Sequence, residues 1–460
     1  MKFVVNCLGP IDHATFELGA LTMICGDNNN GKSYLTYTLE SFLGTIESNL
    51  EVPLRKPDLD DLLLRGSVTI DLMTYIDEYL REIESTVPRF VKTLPRFLAM
   101  HPDRFKEFDF KVLISREEIV EKFKKELTFA RYVSGTFDLR VSEKMTIRCS
   151  KNSNSTVVRI ELVNKAQVLP PADVIARGAA FTLSKMFDDG IEIRLFPEPF
   201  IITCERTGVS LFKAELGEAL AKTYDKFGKK TRHLYQRPVE KEVDYILNLR
   251  GVVQEQSILA REHPEILKRF REIVKGGYSF DGDSSEVKFT PDGSDVQLSL
   301  AEASSTIRSL SEFYFYLAHS ARPGQLLIFD EPELNLHPAN QRRLARLLVL
   351  LVRSGIRVLI NTHSDYIVRE INVLLSIVAI RPDAAADVLA EFGYEKDLIL
   401  DKTDVKAYIL REGRIEEVDS NDDGEFAFKS FDDTLSEYAQ LFRAVADMRR
   451  SMSSGECSLD

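Results

Sequence analysis

Apolar residues fall into three patterns along this chain, and each predicts a kind of element. The first is a short unbroken run that ends abruptly in polar residues. Leu326-Leu327-Ile328-Phe329 passes straight into Asp330-Glu331-Pro332. A strand buried on both faces of a parallel sheet reads this way where it emerges at its carboxyl end. Residues 21–25, 200–204 and 357–362 have the same form. The second pattern is alternation. Residues 137–141, 145–149 and 157–162 alternate apolar with polar, and the tip at 151–155 is rich in turn residues, which predicts a three-stranded antiparallel segment. Two further short strands are predicted over 2–11 and 13–18, others at 279–280 and 287–290, and two more within 398–416.

Helical spacing is the third pattern. Ile70, Met73, Ile76, Leu80 and Ile83 predict an amphipathic helix over 68–83. Pro88, Pro95 and Pro102 then punctuate what reads as a run of shorter helices, followed by a helix over 116–129. Helices are also expected over 171–187, over most of 211–275 with breaks at Pro238, Gly251 and Pro264, and over 340–353. A loop at 420–424, a last helix over 433–450 and a frayed tail over 451–460 complete the reading. No heptad pattern persists, which argues against a long coiled coil, and no internal repeat is visible.

Composition narrows the class. A chain of 460 residues, 44% hydrophobic and 29% charged, is ordinary for a globular protein of one elaborated domain or two lobes. No apolar run approaches the roughly 20 residues of a membrane span, and Met1-Lys2-Phe3-Val4-Val5 lacks the architecture of a signal peptide. Cys7, Cys25, Cys149, Cys204 and Cys457 are scattered without metal-ligand pairing, which fits reduced thiols in a cytoplasm. The net charge of −12 argues against a surface that is basic throughout. It leaves a local basic groove open. Lys229-Lys230-Thr231-Arg232 and Arg342-Arg343 with Arg346 are small clusters that read more simply as solvated helix faces.

Candidate chemistry lies at the ends of the buried runs. The strand at 21–25 ends in Gly26-Asp27-Asn28-Asn29-Asn30-Gly31-Lys32-Ser33, the phosphate-loop spacing of glycine, four residues, Gly-Lys-Ser. Glycines and turn-tolerant asparagines let backbone N–H groups converge on phosphate oxygens, and the following helix adds its N-terminal dipole. Lys32 is placed for the β- and γ-phosphates and the Ser33 hydroxyl for Mg²⁺. Asp330 and Glu331 can divide labour between a metal ion and a water. His363 follows the strand at 357–362 at the same sheet edge, within one strand-helix-strand unit with the acids. Arg206 emerges from the run at 200–204 and reads equally as a phosphate or interface residue and as a structural salt-bridge partner. Ser304 and Ser305 precede a helix and are good N-cap material.

The order of the phosphate loop, Ser304-Ser305, Asp330-Glu331 with Glu333-Leu334-Asn335-Leu336-His337-Pro338, and Thr362-His363-Ser364 resembles the ABC-type ATPase head of the SMC-like and DNA-repair group. It most resembles bacterial AAA-family ATPases related to overcoming-lysogenization-defect (OLD) proteins and to the anti-phage systems Septu, Gabija and PARIS. The likeness is close over 1–40 and 298–372 and loose across the helical middle, apart from the strand ending in Glu205-Arg206-Thr207-Gly208.

That resemblance implies an α/β P-loop NTPase, its mixed sheet flanked by helices, with a large mainly helical insertion between the Walker motifs. Gly26, Asn29, Asn30, Gly31, Lys32, Ser33 and Tyr34 would form the ATP site, with Ser33 and Asp330 holding Mg²⁺. Glu331 would orient the attacking water, and Lys32 and His363 would act on the γ-phosphate. Ser304 and Ser305 would be the signature motif, reaching the nucleotide of a second subunit, and 333–337 the D-loop at that interface. Thr306 stands where the signature has glycine, and no Q-loop glutamine is assignable.

The implied organisation is a head assembled from 1–48, 136–210 and 279–418, helical insertions at 49–135 and 211–278, and a terminal helix and tail at 419–460. The implied protein is a cytoplasmic ATPase that dimerises through ATP, with a higher oligomer open and no membrane contact. It would regulate a separate nuclease or toxin effector in anti-phage defence. The alternative is a repair-type SMC-like ATPase acting directly on DNA. A transporter subunit fits less well, because of the large insertion and the Asp-Glu-Pro-Glu-Leu-Asn-Leu-His-Pro form. A Toprim nuclease of the kind that OLD relatives carry has too little chain after His363.

Overall fold

The computed structural model describes residues 1–121, 135–142, 145–152, 155–164, 170–188, 195–223, 233–379, 391, 394, 398, 400–421, 425, 426, 428 and 440–446. The basic cluster at 229–232, Cys457 and the tail at 451–460 lie outside these residues, as do most of the expected terminal helix and part of the 420–424 loop. Residues 440–446 of that helix are helical.

One mixed sheet organises the described chain. Its centre is parallel: β15 (Val405–Arg411), β3 (Leu21–Cys25), β14 (Arg357–Thr362), β13 (Leu326–Asp330) and β9 (Pro199–Ile202) lie side by side in that order. A wing continues from β15 through β16 (Arg414–Glu417), β2 (Ile11–Glu17), β1 (Lys2–Leu8) and β5 (Asp109–Leu113). Both β3 and β13 are buried at every residue. Their unbroken apolar runs have a direct cause: successive side chains enter two different cores. Leu327, Phe329, Val358 and Ile360 join one, while Leu326, Ile328 and Leu359 join the other.

The first core is closed by α9 (Ser305–Phe315), α10 (Pro338–Arg353) and α11 (Asp365–Ala379), together with α7 (Arg237–Leu247) and α8 (Pro264–Val274). The second is closed by α1 (Lys32–Asn49), α3 (Ile76–Phe97) and α4 (Ala172–Asp188). At its centre Phe42 is fully buried, with ring centroids of Phe110, Phe90, Phe196 and Phe3 between 4.9 and 6.2 Å away. Among the described residues no helix is long and apolar enough to cross a membrane.

Three expectations between residues 68 and 113 are corrected. The helix over 68–83 is in fact β4 (Ser67–Asp71), a 3₁₀ turn (Leu72–Tyr75) and only then α3, which follows α2 (Lys56–Arg65). Val68 and Ile70 lie opposite Ile160 and Val158 of β8 (Val157–Asn164), adding a fourth strand to the sheet that β8 forms with β7 (Met145–Lys151) and β6 (Gly135–Ser142). Alternating burial at 68 and 70 had mimicked the first turn of a helical face. Pro88 and Pro95 do not divide helices: both lie inside α3, whose buried face of Ile76, Tyr79, Ile83, Phe90 and Leu94 outweighs the two lost backbone bonds. Asp109–Leu113 is an edge strand that the periodicity did not announce. The helix expected over 116–129 is helical from 116 to 121, beyond which it lies outside the described residues.

Phe42→Ala should therefore cost about 3–5 kcal/mol of unfolding free energy. Urea denaturation with an unchanged slope is the check, and a loss below about 1 kcal/mol would contradict this core.

Candidate functional site

Parallel register decides which side chains meet. Asp330 at the end of β13 lies opposite Asn361 of β14, and Asn361 and Thr362 lie opposite Ile24 and Cys25 at the end of β3. The carboxyl ends of three strands thus finish at one level, which is where α/β sheets place ligands.

From the end of β3 the chain enters the loop at Gly26. Its φ of 143° suits only glycine, and a Cβ there would stand 2.2 Å from the carbonyl oxygen of Leu410 in β15. Asn29 at φ 64° and Gly31 at φ 94° complete a left-handed path that closes directly onto α1, whose N-cap is Gly31. Such a path turns backbone N–H groups inward. The side chain of Asn30 donates to Leu410 O at 3.0 Å, so it anchors the loop to β15. The Tyr34 ring lies against Gly9. Lys32 Nζ donates to Gly26 O at 2.9 Å and Asp27 O at 2.8 Å, spanning the loop. Burial lowers the Lys32 pKa, opposed chiefly by the Asp330 charge.

Ser33, one residue into α1, donates from Oγ to Asp330 Oδ2 at 2.9 Å. Asn361 Nδ2 donates to the other oxygen, Oδ1, at 2.8 Å and bonds Thr36 Oγ1 at 2.9 Å. Burial pushes the Asp330 carboxyl up, and these two donors pull it back. A hydroxyl and a carboxylate facing a phosphate loop are hard oxygen donors suited to Mg²⁺, which takes few protein ligands alongside phosphate and water. Among the described residues no group of three or more His, Cys, Asp or Glu side chains is arranged to hold a metal ion.

Glu331 turns the corner out of β13 at φ 47°, a conformation costly for a residue with a Cβ. Its N–H donates to Asn361 O at 2.9 Å, and its carboxylate lies 4.0 Å from His363 Nε2. Glu333 accepts from His363 N at 2.6 Å and from Thr362 Oγ1 at 2.9 Å, so the turn after β13 holds the turn after β14. Burial lowers the His363 pKa, and the neighbouring Lys32 charge adds to the shift.

Ser304 and Ser305 are exposed at the start of α9. Ser304 accepts from Ile307 N at 3.4 Å as a helix cap, and among the described residues neither serine bonds the phosphate loop or the acids. Thr306 donates to Asn335 O at 2.6 Å, tying α9 to the turn after β13, where Asn335 also has a positive φ of 61°.

Arg206 answers to neither reading made from sequence. It is fully buried in α5 (Arg206–Leu211) and donates to the carbonyl oxygens of Asp330 and Glu331 at 2.8 and 2.7 Å. Arg342 and Arg346 pair with Glu370 at 2.6 and 2.5 Å, joining α10 to α11 as a structural bridge. Asn361 and Glu333 were not singled out as holders of the site. For Asn361, an amide inside the otherwise apolar run 358–361 was the available signal.

An α/β fold with this loop and these strand ends defines a P-loop nucleotide-binding protein. Residues 215–369, about a third of the chain, match a family model described as "AAA domain, putative AbiEii toxin, Type IV TA system". That stretch holds α9, Asp330, Glu331 and His363 and leaves the phosphate loop outside. The chain thus carries a P-loop AAA domain. Solved structures were also matched. A head domain of SMC bound to the C-winged helix domain of ScpA shares 11% identity, covers 91% of this chain and 96% of its own, and has a TM-score of 0.32. The Thermotoga maritima SMC head shares 9% identity over 91% of this chain and 98% of its own, with a TM-score of 0.31. The Smc head of Pyrococcus furiosus with an extended coiled coil shares 12% over 97% and 98%, at 0.30. At those scores the fold assignment rests on the strand order and loop geometry above. No curated protein sequence matches the chain.

A lowered folded-state pKa means that the folded chain resists protonating His363. Its contribution to stability is present above the ordinary value of 6.5 and is lost as pH falls through the lowered folded value. Nucleotide-free wild type should lose more stability between pH 7 and 5 than His363→Gln does. Equal losses in denaturant titrations at both pH values would contradict this environment.

Proposed function

We propose that this chain binds and hydrolyses ATP as an ABC/SMC-like ATPase that closes into a homodimer around the nucleotide. We further propose that it serves as the regulatory ATPase of a bacterial anti-phage system with a separate nuclease or toxin effector. The observation that carries the ATPase reading is the linked set Lys32, Ser33, Asp330, Glu331 and His363 at one sheet edge. The defence role rests on the resemblance of the motifs.

Phosphoryl transfer to water is mainly a matter of positioning and charge. The loop from Gly26 to Ser33 would cradle the phosphates through backbone N–H groups, and Lys32 would leave its two carbonyls for phosphate oxygens. Ser33 and Asp330 would hold Mg²⁺, which supplies screening of phosphate charge when bound. Glu331, half-exposed beside His363, would orient the attacking water, and His363 would donate to the γ-phosphate. The exposure of Ser304 and Ser305, apart from their own chain's loop, supports their use on a partner's nucleotide. The division into head segments and helical insertions belongs to the same reading.

One feature favours the second reading, direct action on DNA. A groove of about 440 Å³ is lined by Lys268, Arg271, Lys275 and Arg343 with Glu272 and Asp292, and Asp292 pairs with Arg271. Stimulation of ATPase activity by DNA with the purified chain alone, lost in Lys268→Ala/Lys275→Ala, would select it. Co-purification of a nuclease or toxin with the full chain would select the first.

Glu331→Gln should lower hydrolysis by about 10²-fold or more while ATP binding persists and the dimer accumulates. Wild-type turnover by that variant would remove Glu331 from this role. Lys32→Ala should abolish measurable ATP binding in calorimetry, and unchanged affinity would overturn the phosphate-loop assignment.

A further inference from the structure

Behind the catalytic turn lies a buried charged cluster that the mechanism above does not use. Arg206 Nη1 donates to Thr203 O at 2.9 Å and Asp330 O at 2.8 Å, and Nη2 donates to Glu331 O at 2.7 Å. One guanidinium therefore grips both carbonyls that flank the left-handed Glu331 turn. No carboxylate reaches it within ion-pair distance among the described residues. The negative charge that acts on it most strongly is that of Glu242 of α7, joined to it through Thr203: Glu242 Oε2 accepts from Thr203 N at 3.3 Å and from Thr203 Oγ1.

Glu242 in turn meets Glu312, which projects from α9, the helix that begins with Ser304 and Ser305. Both acids are buried. With both ionised, Glu242 Oε1 and both Glu312 oxygens have no donor, and two like charges share a dry site. One proton between them relieves the like-charge repulsion and pairs Glu242 Oε1 with one Glu312 oxygen. Burial raises both carboxyls, Glu242 to about 7 and Glu312 well above the usual carboxylate range with the Glu242 charge adding to it, so the pair holds a proton between them. With one proton shared by the two carboxyls, the pair carries a single negative charge opposite Arg206.

We propose that Arg206, Glu242 and Glu312 are positioning residues that set the backbone of the Glu331 turn according to where helix α9 sits. Movement of α9, for instance when its N-terminus meets a second subunit, would pull Glu312 against Glu242 and so shift the carboxylate that holds Thr203 and balances Arg206. The turn carrying Glu331 would respond through its two gripped carbonyls. The bonds of Arg206 and Glu242 run to Thr203 and to the backbone of the Glu331 turn and not to the phosphate loop, so the device would act on turnover and leave affinity alone. The inference rests on the ATPase reading of the same site.

The experiment is steady-state ATP hydrolysis with separate measurement of ATP affinity, on the full chain, with folding checked by thermal denaturation. Arg206→Lys keeps the charge but cannot span three carbonyls, and it should lower kcat about tenfold or more with ATP affinity within about threefold. Glu242→Gln should behave in the same direction. Glu312→Leu removes the donated bond and should also lower kcat, whereas Glu312→Gln keeps an N–H donor and should recover most of it. The two Glu312 variants keep the test decisive should Arg206→Lys fail to fold. Wild-type kcat in Arg206→Lys and Glu242→Gln would overturn the inference. So would affinity falling in step with kcat, or Glu312→Gln no better than Glu312→Leu. A wild-type chain that hydrolyses no ATP would overturn the functional reading along with this one. An active wild type beside unaffected variants would overturn this one alone.

Discussion

The bond from Ser33 to Asp330, with Asn361 on the other carboxylate oxygen, is where helix, loop and sheet become one site. It depends on register. Asp330 lies opposite Asn361, and Asn361 opposite Ile24, so a slip of one residue in either pairing would turn these side chains to the other face of the sheet. The two cores prevent such a slip, because alternate residues of β13 and β14 are already committed to opposite sides. Core packing therefore holds the chemistry to a single geometry, and the carboxylate of Asp330 and the amide of Asn361 stand where their strands leave the apolar layers.

From that edge, short bonds spread outward and make the turns interdependent. Glu333 holds the His363 backbone, Glu331 N–H reaches Asn361 O, and Thr306 holds Asn335 O. The turn after β13 consequently touches both the histidine turn and the start of α9. Glu331 and Asn335 both carry positive φ in this turn, so the segment that makes these bonds is also a strained one. A side chain at 306 acquires a purpose here: its hydroxyl makes a bond that glycine could not.

Buried charge follows the same logic. Desolvation dominates the shifts at Lys32, Asp330, His363 and Glu333, and in each case neighbouring charges or hydrogen bonds modify it. Arg206 is the extreme case, a fully buried guanidinium spent on backbone carbonyls. Removing one partner from such a cluster would expose the desolvation cost of the rest.

Local residue patterns were enough to determine the phosphate loop, the buried strands and the acids at their ends. Glycine at 26 and 31, the lysine and serine that follow, and apolar runs stopped by carboxylates are requirements met by neighbours in the chain. Tertiary structure decided the rest. Ser67–Asp71 became a strand because β8 offered it a partner, and α3 ran through two prolines because its apolar face was worth more buried than two backbone bonds. Arg206, open between phosphate ligand and salt bridge in the sequence, was assigned by carbonyls more than a hundred positions away. Glu242 and Glu312 carried no signal, since a glutamate on an amphipathic helix reads as solvated until its neighbours are known. Spacing reveals a contact when the partners are close in sequence, and the contacts that hold this site are almost all between residues that are not.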